Sequence, residues 1–367
     1  MRCTIPQTTL AQVLSYVQMA LPTRPPLPIL STLLFEVTKD ELIISATDLY
    51  FGVQAHCAAN VEEVGSIAIP GKQVIELLKG LPAGEVSLST KENTLEVSTK
   101  HIKSTLQFQP PDEFPSFPKA SGDESSIATS VVSDLVQQVA MSCSPDVARP
   151  LLTGILWEPG NASAFVATDG FRLSHWRPGA AWPLNERLVV PARFWSEVER
   201  IAVQEKIKTV EMSYSVEQKQ ITASLQNVVI YSRTLEGEYP PYEKIVPTEF
   251  AITVTVQAEE LLEQVRRSLL YARDSLGTVQ LQFGAEQSLV TAQSSALGKF
   301  EAVLTTASLK GDDITIAFNS KYILDYLQLI KTGEITIGLN GELKPALFSS
   351  EKRPGFSYVA MPFRVNQ

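Results

Sequence analysis

One order of apolar and polar positions occurs three times along this chain, at intervals of roughly 120 to 128 residues. Each copy opens with apolar residues at helical spacing: TIPQTTLAQVLSYV from Thr4, SVVSDLVQQVAMSC from Ser130 and TVQAEELLEQVRRSLL from Thr255. Leu10, Leu135 and Leu261 hold the same phase. A strand-to-turn segment follows: ISATDLYFGV from Ile44, FVATDGFRLS from Phe165 and LVTAQSSALG from Leu289. A short strand then leads into a second helix, in IPGKQVIELLKGL from Ile69, VPARFWSEVERIA from Val190 and FNSKYILDYLQLI from Phe318. A repeat this long is a domain, not a solenoid unit.

The segments between the helices read mainly as strand, alternating apolar and polar residues. Thr32–Thr47, Glu85–Lys100, Thr209–Leu225 and Glu334–Ser350 each break at a polar turn, at Lys39-Asp40, Lys91-Glu92-Asn93, Glu217-Gln218 and Asn340-Gly341. Such segments predict hairpins. Two helices on an antiparallel sheet in each copy make an α+β class of three repeated domains. The proline-bounded segments FPSFP from Phe114 and YPPYEKIVP from Tyr239 end the first two copies. Domains are therefore expected at 1–120, 121–247 and 248–367.

Composition adds that each copy can bury a core, since 44% of residues are hydrophobic. No apolar run is long enough to span a bilayer, and MRCTIPQTTL lacks the layout of a signal peptide, so a cytoplasmic location and no membrane partner are expected. Cys3, Cys57 and Cys143 are scattered without metal-ligand spacing and read as reduced structural thiols.

The net charge of −9 argues against a surface that grips nucleic acid everywhere. Its distribution changes the picture. Carboxylates gather at Asp112, Glu113, Asp123, Glu124, Glu236 and Glu238, whereas the second helices carry Lys72 and Lys79, Arg193 and Arg200, Lys321 and Lys331. Residues seven apart share a helix face, so Lys72 with Lys79 and Arg193 with Arg200 form short basic stripes. One such stripe reads as a solvated face, with Glu76 and Glu197 between the cations. The same helical phase carries Lys72, Arg193 and Lys321 in the three copies, and that repetition predicts a basic surface built by the repeat.

No catalytic constellation stands out. Asp48 and Asp169, in the shared Ala-Thr-Asp segment, fit Asx-type turns. His56, His101 and His175 stand without triad or zinc-helix partners, and PGKQ at Pro70–Gln73 lacks the remaining elements of a phosphate loop. No catalytic residue, metal or cofactor is expected. A binding platform or ring is favoured; the alternatives are an enzyme subunit whose site forms between domains and a monomeric scaffold.

RPPLPILSTLLFEV from Arg24, ATDL at Ala46, the IPGK…ELLKGLP helix, RPLLTGILWE from Arg149, ATDGFRLS, VPARFWSEV, YPPYEKIVP, FNSKYILDYL and the terminal YVAMPFRVNQ together resemble the bacterial replicative sliding clamp, the beta subunit of DNA polymerase III. The resemblance covers the whole chain in register. It implies a head-to-tail homodimeric ring of six domains around duplex DNA, without sequence specificity or catalysis. It also implies tethering of the replicative polymerase catalytic subunit, the clamp loader, other polymerases and repair proteins through linear peptide motifs. Twelve helices at about 9 Å spacing would give a circumference near ~110 Å and an opening of roughly 25 Å, enough for a duplex.

The resemblance also implies site residues. For the dimer interface these are Leu106, in KSTLQF, opposite Leu269 and Leu270, in LLYARDSL, with polar Ser104 where family members often have an aromatic. For DNA they are Arg24, Lys72, Lys79, Arg149, Arg193 and Arg200. For the partner-peptide pocket they are Leu152, Thr168, Gly170, Phe171, Arg172, Leu173, Pro240, Lys244, Ile245, Asn319, Tyr322, Val359, Met361, Pro362, Phe363 and Arg364. The apolar members would take peptide anchors and Arg172 the polar ends. Phe171 and Lys244 replace a frequent histidine and arginine, and Val365-Asn366-Gln367 extends past the usual end.

Overall fold

In the computed structural model, which describes residues 1–118, 124–160, 163–179 and 186–364, the two apolar-periodic segments of each repeat are helices. They are α1 (Gln7–Val17), α2 (Gly71–Gly80), α3 (Thr129–Gln138), α4 (Ala192–Gln204), α5 (Ala258–Ala272) and α6 (Ser320–Ile330). The leading residues of the first and third segments need correction. Thr4–Pro6 and Thr255–Gln257 lie not in helices but in the strands Arg2–Pro6 and Ile252–Gln257. Their buried residues, Cys3 and Ile5, then Ile252, Val254 and Val256, keep a period of two. The helical period begins only later, with Leu10, Val13, Leu14 and Val17 buried along α1. Pro6 suits that boundary, because it has no N–H to lose ahead of the first turn.

All four expected hairpins form, and every strand pairing among the described residues is antiparallel. The largest sheets run across repeat boundaries. An eight-stranded sheet has the spatial order Glu124–Ala128, Thr209–Ser215, Gln220–Leu225, Val228–Arg233, Phe51–Ala58, Glu41–Thr47, Thr32–Val37 and Gly65–Pro70. Its joint pairs a second-repeat strand with a first-repeat strand, and Tyr231 lies opposite Gly52. In the nine-stranded sheet the corresponding joint pairs Arg172–Trp176 with Phe356–Ala360, and Leu173 lies opposite Val359. The remaining sheets, of five and four strands, end on Lys103–Gln107 and Gly298–Val303, each of these strands with one edge unpaired among the described residues.

These shared sheets divide backbone contacts into two compact units, Met1–Val132 with Arg193–Thr234, and Ser133–Ala192 with Leu235–Gln367. The middle repeat contributes to both. Asp123, the expected boundary near residue 120 and the tail Val365-Asn366-Gln367 lie outside the described residues.

Helix stripes supply the cores: Val74 and Leu78 on α2, Phe194, Trp195, Val198 and Ile201 on α4, Leu261 and Val265 on α5, and Ile323, Leu327 and Ile330 on α6. Removing each such side chain from water contributes about 1.5–3 kcal/mol. The three cysteines are free thiols, and burial pushes them up, Cys3 to about 11 and Cys57 and Cys143 to about 12. They are protonated and unreactive at neutral pH.

Candidate partner-peptide pocket and nucleic-acid face

The ATD segments make the expected turns. Asp169 Oδ1 accepts from the backbone of Phe171 at 2.9 Å and Arg172 at 3.0 Å; Asp48 Oδ1 accepts from Tyr50 at 2.9 Å and Phe51 at 2.7 Å. Both turns need a left-handed residue. Gly170 adopts φ 95° without cost, and Leu49, in the corresponding place, is held at φ 78°. The second carboxylate oxygen of each aspartate then holds an arginine, Arg172 at 3.0 Å from Asp169 and Arg193 at 3.1 Å from Asp48.

In the second unit the tight turn pushes Phe171 outward, 51% exposed, while Leu173 goes inward. Leu173 and Val359 form a buried floor with Leu156, Val166, Val189, Tyr239 and Tyr242. The C-terminal segment is tied across this region in two places: Met361 donates its N–H to the Phe171 carbonyl at 2.8 Å, and Phe363 to the Ala317 carbonyl at 2.7 Å. Met361, Pro362 and Phe363 are half-buried, and Ile245 and Lys244 are exposed. Leu152, Pro240 and Tyr322 are half-buried as well. Phe171 and Ile245 are thus exposed apolar side chains on segments that adjoin this buried cluster, an arrangement that can receive the apolar side chains of an extended peptide.

Several expected members do other work. Arg172 is buried and committed to Asp169 and to Asp325, 2.5 Å away, with its guanidinium 4.7 Å over the Tyr322 ring. In these contacts it braces the turn against α6. Thr168 donates to the Arg172 carbonyl at 2.6 Å, and Asn319 caps α6 by accepting from the Lys321 N–H at 2.9 Å. Arg364 lines a separate polar cavity of about 660 Å³ with Asp274, Gln280 and Lys299.

The six cations assigned to DNA also separate. Arg24 and Lys72 are exposed and form no ion pair among the described residues. Lys79 donates to Gln18 at 2.7 Å, and burial lowers its pKa. Arg193, besides Asp48, donates to the Met19 carbonyl and lies 4.2 Å over the Phe51 ring. Arg200 is held by Glu197 at 2.8 Å. Arg149 is bound to Asp146 at 3.2 Å and to the Asp169 carbonyl at 3.0 Å. Shared helical phase put Lys72 and Arg193 on equal footing; their neighbours in space do not.

Comparisons with known proteins bear on all of this. The N-terminal, central and C-terminal domain models of the DNA polymerase III beta subunit match residues 1–118, 126–241 and 243–364. The chain belongs to the DNA polymerase III beta subunit family. A beta sliding clamp of Streptomyces coelicolor is 27% identical over 379 residues, with both chains covered in full. The DNA polymerase III beta subunit of Thermotoga maritima aligns over the full length of both chains at 26% identity and a TM-score of 0.90. A DnaN sliding clamp from Pseudomonas aeruginosa bound to griselimycin has the same identity, coverage and TM-score. As a beta sliding clamp, the chain serves DNA replication.

In this clamp the expected interface residues lie on the edge strand Lys103–Gln107 and at the end of α5, the helix that packs on the Gly298–Val303 sheet. Leu106 sits half-buried on the Lys103–Gln107 edge strand. Leu269 is half-buried and Leu270 is 50% exposed at the end of α5. Further apolar exposure lies nearby in sequence, with Leu276 89%, Leu297 56% and Val303 44% exposed. The edge strand Gly298–Val303 escaped the sequence reading, although its alternation after a Gly-containing turn was a usable signal.

Proposed function

We propose that two copies of this chain close head to tail into a six-domain ring around duplex DNA. The ring tethers DNA-processing proteins by their linear peptides near Phe171 and performs no chemistry of its own. The unpaired sheet edges carry this reading. Within the chain, sheets continue across both repeat boundaries; the five-stranded sheet ending on Lys103–Gln107 and the four-stranded sheet ending on Gly298–Val303 are the pieces left over. Joined between two copies, they make a sheet of the same size as the nine-stranded one. Such pairing satisfies edge N–H and C=O groups that otherwise invite aggregation, and a head-to-tail contact of this kind closes a ring when the rotation permits. Leu106, Leu269 and Leu270 would be covered by it.

Arg24 and Lys72 are the best placed of the six cations to meet phosphates, since their head groups are unengaged. Lys79, Arg149, Arg193 and Arg200 contribute field rather than direct contacts. Phosphate contact without base-edge readers suits sequence-independent sliding. The replicative polymerase and clamp loader are the expected partners, the cytoplasm is the expected location, and repeat boundaries fall near 120 and 247.

Topology supplies the test. Loaded onto DNA, the protein should stay on a nicked circle through gel filtration and leave after linearisation. Equal retention on both forms would overturn encirclement. Replacing Leu269 with Asp and Leu270 with Ala should yield monomers by light scattering, because closure would bury an unpaired charge. A dimer in that variant would remove these residues from the interface.

A further inference from the structure

Two strands from its joint each large sheet carries a carboxylate at the same register, and the two are treated differently. At the second joint Glu158 is satisfied twice. Tyr242 donates its hydroxyl to Oε2 at 2.5 Å, and Arg187 lies 3.1 Å from Oε1. The Tyr242 ring also covers His175, with centroids 5.9 Å apart and planes inclined by 32°.

Strand pairing identifies the counterparts. Leu156 opposes Val166, which opposes His175; at the first joint Leu34 opposes Ser45, which opposes Gln54. Two residues further along each first strand stand Glu158 and Glu36. Glu36 opposes Ser66. Arg187, next after the Trp157–Leu188 pair, takes the place of Ser66. The first joint thus keeps the carboxylate and lacks both groups that neutralise it. Among the described residues Glu36 has no hydrogen-bond or ion-pair partner. Burial raises its carboxyl above the ordinary range, with His56 pulling the other way.

The third difference is the aromatic strap. Phe114-Pro-Ser-Phe117 corresponds to Tyr239-Pro-Pro-Tyr242, but Phe117 turns to meet Tyr231 edge-on at 5.0 Å. A cavity of about 640 Å³ remains over Leu34, Glu36 and Gln54, walled by Phe114, Phe117 and Val229. Among the described residues its charged lining residues, Glu36 and Asp112, are both acidic.

We propose that this cavity is a second peptide site, taking a basic linear segment that carries a tyrosine. The tyrosine hydroxyl donates to Glu36, as Tyr242 does to Glu158, and a flanking cation stands where Arg187 stands at the other joint. Rings of Phe114 and Phe117 supply the apolar wall for the aromatic body. A half-buried carboxylate without a partner carries part of the cost of desolvation, and an incoming donor offsets it.

The test uses the full chain and the amidated, fluorescein-labelled peptide Gly-Arg-Tyr-Arg-Gly in an anisotropy titration. Saturable binding is expected, at least tenfold weaker with Glu36→Gln and several-fold weaker when the peptide tyrosine is phenylalanine. Unlabelled Gln-Leu-Ser-Leu-Phe, a probe for the region near Phe171, should not displace it. A second variant, Ser66→Arg, places a guanidinium beside Glu36 as Arg187 lies beside Glu158 and should abolish binding while the melting temperature holds or rises. No saturation up to about 1 mM, a range that would still reveal weak binding, would overturn the proposal. So would binding indifferent to both variants, or displacement by Gln-Leu-Ser-Leu-Phe.

Discussion

The two joints share a backbone register and differ in how side-chain volume is distributed across it. At the first, Gly52 faces Tyr231, whose ring covers the glycine and is itself covered by Phe117; the Tyr231 hydroxyl and Thr47 lie 2.5 Å apart. At the second, Leu173 faces Val359, both buried, and Tyr242 turns away to Glu158. The same pairing yields a surface filled by the chain's own aromatics in one place and an apolar floor beside exposed Phe171 in the other. A structural repeat therefore preserves strand pairing while leaving side-chain occupancy free to diverge: Tyr231 fills the Gly52 position at the first joint, and Leu173 and Val359 leave an apolar floor at the second.

Forcing the first joint to resemble the second gives the largest expected effect. A Cβ on Gly52 would stand 2.2 Å from the Tyr231 ring, so Gly52→Leu must expel that ring and with it Phe117. A loss of about 3 kcal/mol is expected in chemical denaturation, at the upper end for overpacking. Parental stability in this variant would mean that Tyr231 does not close the joint.

The second joint has a pH dependence set by His175, where the first joint has Gln54. Burial, reinforced by Arg177, lowers His175 to about 4 from the ordinary 6.5, against the pull of Glu158 and Glu243. The unfolded chain takes up this proton near pH 6.5 and the folded chain only near pH 4. Stability from neutral His175 is therefore full above pH 6.5 and is lost as pH falls towards 4, by up to ~3 kcal/mol. Hydrogen exchange in Arg172–Trp176 against pH would reveal the slope, and His175→Phe should flatten it. An undiminished slope in that variant would assign the effect elsewhere.

The smallest effect concerns Phe117. Its edge-on contact with Tyr231 should contribute about 1 kcal/mol, so Phe117→Ala should lower stability by that amount or slightly more. The variant should also expose the Gly52–Tyr231 surface to solvent, detectable as faster exchange along Val228–Arg233. Unchanged protection there would show that the strap is not what covers it.

Much of the architecture could be read without coordinates. Apolar spacing of three and four located six helices, and alternation broken at Lys39-Asp40 or Glu217-Gln218 located the hairpins, because both periods are local properties of the backbone. Asp48 and Asp169 were legible for the same reason: each caps N–H groups two and three residues ahead. Where two local rules met, at Thr4–Pro6 and Thr255–Gln257, the strand period prevailed because these residues pair with strands distant in sequence.

The charges at the sites followed no such local rule. Lys72 and Arg193 share a helical phase, yet Arg193 is held by Asp48, 145 positions away in sequence, and Lys72 forms no ion pair among the described residues. Arg172 looked available for a ligand until α6 brought Asp325 to it across 153 positions. Local periodicity could settle which segments become helix or strand, because that choice depends on neighbours within one or two turns. Which arginine is spent, which carboxylate stands alone and which strand edge stays open depended on groups brought together by folding, whose separation along the chain carries no trace of their contact.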